Sequence, residues 1–349
     1  MIASPTIAAP RRKTEPPRIL VVLDECEREL FFSGPLRDRL SMLVPEREWL
    51  CPDADGTNLA AALLKVRPQV LLGGWSLPDI GEDVLGECPE LAYFCFVAGT
   101  VRGRMPRAFW ERGGTATNWG NSISHTIAEC ALTLVLACLR QVPRFHQEMH
   151  IDRSWRAESD TPPRSLFNRR VGIHGFGNVA RELIKLLAPF HVEIEAWSDP
   201  VPAGVFARAG VRRARCLVDL FANNEIVIDV EALTPATKGT VNAAAIGALK
   251  PGSVFVNVGR GKVVDEAALA RRAVQGDISV GLDVFETEPL PADSPLRGLP
   301  NAVLFPHTGG PTEDHYPLCA KAALDNLDAY LAGRPLVHPF SLEMFDRAT

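Results

Sequence analysis

An excess of positive charge is missing from this chain of 349 residues: 37 Lys and Arg against 42 Asp and Glu leave a formal charge of −5. A polyanion such as nucleic acid finds no basic composition to hold it. Long apolar runs are missing as well. The longest, Cys130 to Leu139 with Thr133 inside it, is about half of what a bilayer span needs and reads as a buried helix. The eight cysteines, Cys26, Cys51, Cys88, Cys95, Cys130, Cys138, Cys216 and Cys319, include no CxxC pair. Several sit in apolar runs, and they are expected to be reduced core thiols of a cytosolic protein. Residues 1–16 carry Pro, Ala, Arg11, Arg12 and Lys13 but no apolar stretch of signal-peptide length; a disordered tail is expected there. A metal pattern is absent too. His146 and His150 stand four apart, a spacing that suits zinc on a helix, but the residues between them, Gln147-Glu148-Met149, are not in the zincin order. No third ligand accompanies them, and no metal is expected.

What is present is ordinary in amount and ordered in arrangement. The 46% apolar and 23% charged content suits a soluble globular chain of about two domains. Short apolar runs of strand length, Arg18–Leu23, Val70–Gly74 and Leu91–Ala98, alternate with helical patterns such as Phe31–Leu43. That alternation predicts a parallel sheet with helices on both faces. A long helix is expected from Ser124 to Val142, a polar loop over 151–168 with Pro162 and Pro163, and a second alternating unit from Arg170 to about residue 308. A last helix is expected over Leu318–Leu331. The basic run Arg212-Arg213-Ala214-Arg215 reads as a solvated edge.

The second unit opens with a glycine loop in the right setting. Arg170–His174 reads as a strand, Gly175-Phe176-Gly177-Asn178-Val179-Ala180 follows, and Arg181–Leu187 has helical spacing. Strand, glycine turn and helix in that order are the context in which such a loop binds a dinucleotide. Gly175 permits the tight turn. Gly177 lets a pyrophosphate approach the helix N-terminus, where the amides of Asn178 and Val179 lie. Ala180 takes the third position, which the fingerprint tolerates. Asp199 comes 22 residues after Gly177. A carboxylate there accepts hydrogen bonds from an adenosine ribose and repels a 2′-phosphate, and no Arg or Lys follows directly. NAD is therefore favoured over NADP.

Three phrases downstream carry an Arg, a Glu and a His: Asn257-Val258-Gly259-Arg260-Gly261, Asp283-Val284-Phe285-Glu286-Thr287-Glu288-Pro289, and Phe305-Pro306-His307-Thr308-Gly309-Gly310. Arg260 follows a buried strand, at the end where open α/β sheets place ligands. Its guanidinium can grip a carboxylate with two parallel hydrogen bonds. Together these phrases resemble the D-isomer-specific 2-hydroxyacid dehydrogenase family, most strongly from about Asn121 to Gly310.

The resemblance implies two doubly wound parallel-sheet domains with a cleft between them: a flavodoxin-like substrate domain and a Rossmann cofactor domain. The first would be discontinuous, 17–120 plus 311–349, and the second would span 121–310. It implies a catalytic set of Arg260, Glu288 and His307, with Glu286 a solvated neighbour. Thr234, in Leu233–Gly239, would lie along the cofactor. Val258, Gly259, Gly309 and Gly310 would line it, and Asp283 would meet its nicotinamide end. Ala98, Gly99 and Thr100 occupy the place of the loop whose amides receive the substrate carboxylate, but the family's richer Gly and Asp content is absent here. Gly73, Gly74 and Trp75 resemble the pocket's second lip, and Trp75 and Trp119 are candidates to touch an apolar substituent.

The implied chemistry interconverts a 2-hydroxy acid and its 2-oxo acid. His307 as imidazolium donates a proton to the carbonyl oxygen while Arg260 stabilises the growing charge. Free imidazole titrates at about pH 6.5, and a carboxylate such as Glu288 beside it favours the charged form. The resemblance implies a small 2-hydroxy or 2-oxo acid of the glyoxylate or hydroxypyruvate type as partner, in a cytoplasmic homodimer without membrane or nucleic acid. The alternative is a non-catalytic NAD(H)-sensing protein on the same scaffold. The absence of Gln at position 288 counts against a formate dehydrogenase.

Overall fold

A computed structural model describes residues 16–53, 55–156, 161–199 and 201–347. The expected tail therefore lies outside the described residues except for Pro16. The chain forms two compact units: one reaches Ser122 and resumes at Glu313, the other is Ile123–Thr312.

In the first unit, strands β1 (Ile19–Val22), β2 (Val70–Gly73), β3 (Tyr93–Phe96) and β4 (Thr115–Thr117) lie side by side in that order, all parallel. The short strand Pro339–Phe340 closes the far edge antiparallel to β4. Leu50 adds a single parallel bridge to Val22 on the free side of β1. Counting that bridge as a rudimentary strand, the order is the flavodoxin-like 2-1-3-4-5. Leu71, Phe94, Phe96 and Ala116 face one core of this unit with Leu59, Leu63 and Phe109.

The expected helix Phe31–Leu43 is two helices instead, Glu25–Phe31 and Pro35–Leu43. Proline cannot donate into a preceding turn but fits a first turn well. Pro35 therefore starts a new helix after Gly34. The earlier helix is set by a capping box: the Asp24 side chain accepts from the Glu27 amide, and the Glu27 side chain reaches back to the Asp24 amide.

The second unit is a seven-stranded parallel sheet. Its strands are β5 (Arg170–His174), β6 (Glu193–Trp197), β7 (Arg212–Arg213), β8 (Ile226–Asp229), β9 (Val254–Asn257), β10 (Ser279–Leu282) and β11 (Ala302–Leu304). The order β11-β10-β9-β8-β5-β6-β7 is the Rossmann order, with its switch point between β5 and β8. Side chains alternate between faces as the pleat requires. Ile226, Ile228, Val254 and Val256 pack on one side with Ala131, Leu134, Val135 and Leu183. Val227 and Phe255 pack on the other with Leu220, Phe221, Ile246 and Leu269.

The apolar helix Ser124–Leu139 lies in the first of these cores. It stops three residues short of the expected Val142, at a left-handed Gln141 followed by Val142-Pro143. Among the described residues no single helix is long and apolar enough to cross a membrane. Helical structure continues through Gln147–Ile151, so the expected polar loop begins later than 151. Of the basic run, Arg212 and Arg215 are exposed as expected. Arg213 is exposed too, and its guanidinium lies over the rings of Trp197 and Phe206.

Candidate active site

The candidate residues of the second unit stand one after another along the carboxyl ends of its strands, where open α/β sheets expose main-chain groups and place ligands. Gly175 follows β5, Asp199 follows β6, Val258-Gly259-Arg260 follow β9, Asp283 follows β10 and His307 follows β11.

The glycine loop fits a dinucleotide. Gly175 has φ +97°, and a Cβ there would lie 2.7–2.8 Å from the main chain of Val230 and Glu231. Only glycine fits that conformation and approach. Gly177 caps the helix Asn178–Leu187, and a Cβ there would meet nothing within 4 Å. The helix N-terminus thus opens onto free space, with the amides of Asn178 and Val179 in its first turn, as an anion requires. The methyl of Ala180 is fully buried. Asp199 is exposed at the end of β6. Thr234 lies in a turn closed on Thr237, whose hydroxyl accepts from the Thr234 amide at 2.7 Å.

His307 is the best-positioned group in the unit. Its Nδ1 lies 2.6 Å from Glu288 Oε2, and the other Glu288 oxygen accepts from the Phe285 amide at 2.9 Å. The two side chains keep 48% and 35% of their accessible surface, so solutes can reach them. His307 adopts φ +55°, a conformation a non-glycine residue takes only when its surroundings impose it. Asp283, 2% exposed, imposes it. Its carbonyl accepts from the His307 amide at 2.8 Å, and its carboxylate oxygens accept from the amides of Thr308 and Gly309 at 2.7 and 3.0 Å. The sequence suggested Asp283 for the nicotinamide end of the cofactor; here its carboxylate is engaged in shaping the histidine loop. Gly309 is buried beside it, and Gly310 is half-buried.

Arg260 keeps solvent exposure, with Nη1 donating to the Gly259 carbonyl at 2.8 Å. Dense surrounding protein desolvates the guanidinium and lowers its pKa from the ordinary arginine value, against the opposing pull of Glu288. Asn257 holds the turn, accepting from the Gly259 amide and donating to the Arg260 carbonyl. Val258 is buried. Glu286 is exposed, and its amide donates to the Glu266 carboxylate at 2.8 Å. The carboxylate that meets His307 is Glu288. An imidazole backed by a carboxylate can move a proton, and a guanidinium nearby can hold an anion.

The pocket candidates of the first unit have mixed positions. Ala98 is wholly buried, so only its main chain can face a ligand; Gly99 is half-buried and Thr100 exposed. Trp75, 40% exposed, joins an aromatic cluster with Phe31, Trp119 and Tyr316 at ring separations of 5.1–6.0 Å. Gly74 is buried, and a Cβ there would run into the Glu27 carboxylate. Glu27 was missed in the sequence. It is 4% exposed, accepts from the amide and hydroxyl of Ser76, and so fixes the Gly74–Ser76 loop. Burial pushes its pKa up. The capping-box spacing Asp24–Glu27 was the signal that could have found it.

One further expectation needs correction. Of the eight cysteines, all free thiols, Cys88, Cys95, Cys138 and Cys319 are buried and Cys130 is half-buried, but Cys26, Cys51 and Cys216 are exposed. The three exposed thiols lie outside the apolar runs, with charged neighbours Glu25 and Glu27, Asp53, and Arg215 close in sequence. The rings of His146 and His150 lie 4.8 Å apart. No group of three His, Cys, Asp or Glu among the described residues could hold a metal ion.

A family model described as the NAD binding domain of D-isomer specific 2-hydroxyacid dehydrogenases matches residues 132–309. The chain belongs to that family. D-3-phosphoglycerate dehydrogenase of Mycobacterium tuberculosis is 29% identical over 325 residues, which cover 92% of this chain and 56% of the relative. The chain thus spans about half the length of the first curated relatives it matches. A glyoxylate/hydroxypyruvate reductase of Arabidopsis thaliana is 33% identical over 266 residues, 76% of this chain and 80% of its own. Among solved structures, an NADPH-dependent glyoxylate/hydroxypyruvate reductase of Sinorhizobium meliloti, in complex with citrate, is similar with a TM-score of 0.74. It is 26% identical, and the match covers 95% of this chain and 100% of that one.

Proposed function

We propose that the protein is an NAD-dependent oxidoreductase that interconverts a 2-hydroxy acid and its 2-oxo acid, with glyoxylate and hydroxypyruvate as the first substrates to try. The observation that carries this reading is the 2.6 Å pairing of His307 Nδ1 with Glu288 on the same sheet edge as the glycine loop. Kinship to reductases of those two acids supports the substrate class.

The bound dinucleotide supplies or accepts the hydride. The chain's own residues do the rest. Arg260 holds the substrate carboxylate and offsets charge growing on the carbonyl oxygen. With Nδ1 turned to Glu288, Nε2 of His307 donates the proton in reduction and removes it in oxidation. Glu288 fixes the ring and stabilises its charged form. Asp283 positions the loop that carries the ring. Amides of Asn178 and Val179 at the glycine loop would hold the pyrophosphate, and Asp199 would bind the adenosine ribose. Thr234, Val258, Gly259, Gly309 and Gly310 line the dinucleotide. Main-chain groups of Gly74, Ala98, Gly99 and Thr100, with Trp75, bind the acid. The NADPH dependence stated for one relative makes the choice of NAD a matter for measurement. A cytoplasmic homodimer completes the proposal.

The test is a panel of 2-oxo acids with NADH and NADPH, read as loss of reduced-nicotinamide absorbance, with chiral analysis of the product. The reading expects turnover with at least one acid, NADH ahead of NADPH, and the D-hydroxy acid as product. Tight NADH binding without turnover on any acid would refute it.

A further inference from the structure

Glu231 was not singled out by the sequence, yet it stands where three strand ends converge. β6 and β8 flank β5 on its two sides. Ser198 and Asp199 leave the end of β6, and Val230 and Glu231 leave the end of β8. The Glu231 side chain reaches over the glycine turn of β5: Oε2 accepts from the Ser198 hydroxyl at 2.7 Å and Oε1 from the Ala232 amide at 3.0 Å. Its own amide donates to Asp229 Oδ1 at 2.9 Å. Its main chain is wedged between the two loop glycines. A Cβ on Gly175 would lie 2.7 Å from Glu231 N, and one on Gly259 would lie 2.8 Å from Glu231 O. Ser198 is 2% exposed and Asp229 wholly buried, so both anchors are fixed. The carboxylate is half-buried and fastened to the residue just before Asp199.

We propose that Glu231 is a specificity-determining residue of the cofactor site. Fastened by Ser198, its carboxylate joins Asp199 in making the adenosine end doubly acidic, so that a ribose 2′-hydroxyl is accepted and a 2′-phosphate is refused. This rests on the dinucleotide reading of the glycine loop. A hydroxyl can donate to a carboxylate; the phosphate monoester dianion that dominates at neutral pH has no proton to donate and brings more negative charge. Repulsion between unit charges a few ångströms apart changes affinity by about fivefold even in water, and by more in a partly dry site. On the neighbouring strand β7, Arg213 is engaged on the faces of Trp197 and Phe206, 5.2 and 5.7 Å from their centroids. Arg212, its neighbour, pairs with Glu195.

The full chain is titrated with NADH and NADPH, read by nicotinamide fluorescence, as wild type, Glu231→Gln and Glu231→Ala, with circular dichroism to confirm folding. Wild type should bind NADH more tightly. Each folded variant should move the ratio of the two dissociation constants toward NADPH by at least about fivefold. In wild type, adenosine 2′,5′-bisphosphate should displace NADH less well than AMP, a comparison that needs no variant. Equal competition by the two nucleotides, a wild-type preference for NADPH, or an unchanged ratio in a folded variant overturns the proposal. Failure of wild type to bind either dinucleotide is a different result: the glycine-loop reading then falls, and this inference with it.

Discussion

His307 is held from three directions: Glu288 takes its ring, the Asp283 carbonyl takes its amide, and the Asp283 carboxylate takes the next two amides. If this cradle sets the geometry for proton transfer, His307→Ala and Arg260→Ala should each lower turnover by at least ~10²-fold. Steady-state rates at saturating NADH check this, and near-normal turnover in either variant would remove the assigned role. Asp283→Asn replaces one acceptor oxygen with a donor facing a main-chain amide. It should cost about 1.5–3 kcal/mol of stability, read from urea midpoints; an unchanged midpoint would mean the carboxylate does not hold the loop. His174 is 3% exposed, with Nδ1 at 3.1 Å from the wholly buried Asp229. Burial disfavours its charged form, but Asp229, with a smaller pull from Glu231, outweighs this and raises its pKa above the ordinary 6.5. The unfolded chain gives up this proton near the ordinary value and the folded chain only at higher pH. The pair's contribution is therefore complete below about pH 6.5 and is lost as pH rises through the folded value. Stability measured from about pH 6 to 9 should show this loss in wild type and a flatter curve in His174→Gln; identical slopes would contradict it.

At the scale of elements, strand β5 and the helix Asn178–Leu187 enclose the feature most legible in the sequence. The strand spans Arg170–His174 as expected, and the helix starts at Asn178, three residues before Arg181, because Gly177 itself is its cap. The two glycines have different burdens, which a sequence motif cannot express. Gly175→Ala meets main chain at 2.7 Å and a positive φ, and should destabilise the fold by at least about 1–3 kcal/mol. Gly177→Ala meets open space and should leave the melting temperature nearly unchanged while weakening dinucleotide binding. Thermal melts with NADH titrations separate the two. Equal destabilisation by both would show that the loop is not built this way. What was illegible arises between elements. Which of Glu286 and Glu288 meets His307 depends on how the loop after β10 turns, and the Ser198–Glu231 link joins residues 33 apart across an intervening strand. Pro35, by contrast, was a local signal for a helix start inside the expected Phe31–Leu43 helix.

For the whole molecule, alternating strand and helix patterns foretold parallel sheets with packed faces, and the strand orders make them one flavodoxin-like and one Rossmann unit. Strand order itself is set by tertiary packing and has no local signature, so it came from resemblance. The sequence phrases stand on separate strand ends, and only folding brings Glu288 onto His307. Cofactor preference belongs to this scale, since it is read through binding by the intact chain: Asp199→Ala should reduce discrimination against NADPH, and an unchanged preference would show that Asp199 does not contact the ribose. The central claim is that His307, backed by Glu288, carries the proton in a nicotinamide-linked reduction. Its most direct test is single-turnover oxidation of bound NADH by a 2-oxo acid in wild type and in His307→Ala, with NADH affinity measured alongside. The account predicts unchanged NADH affinity and a rate at least ~10²-fold lower in the variant; a variant that oxidises bound NADH at the wild-type rate would contradict it.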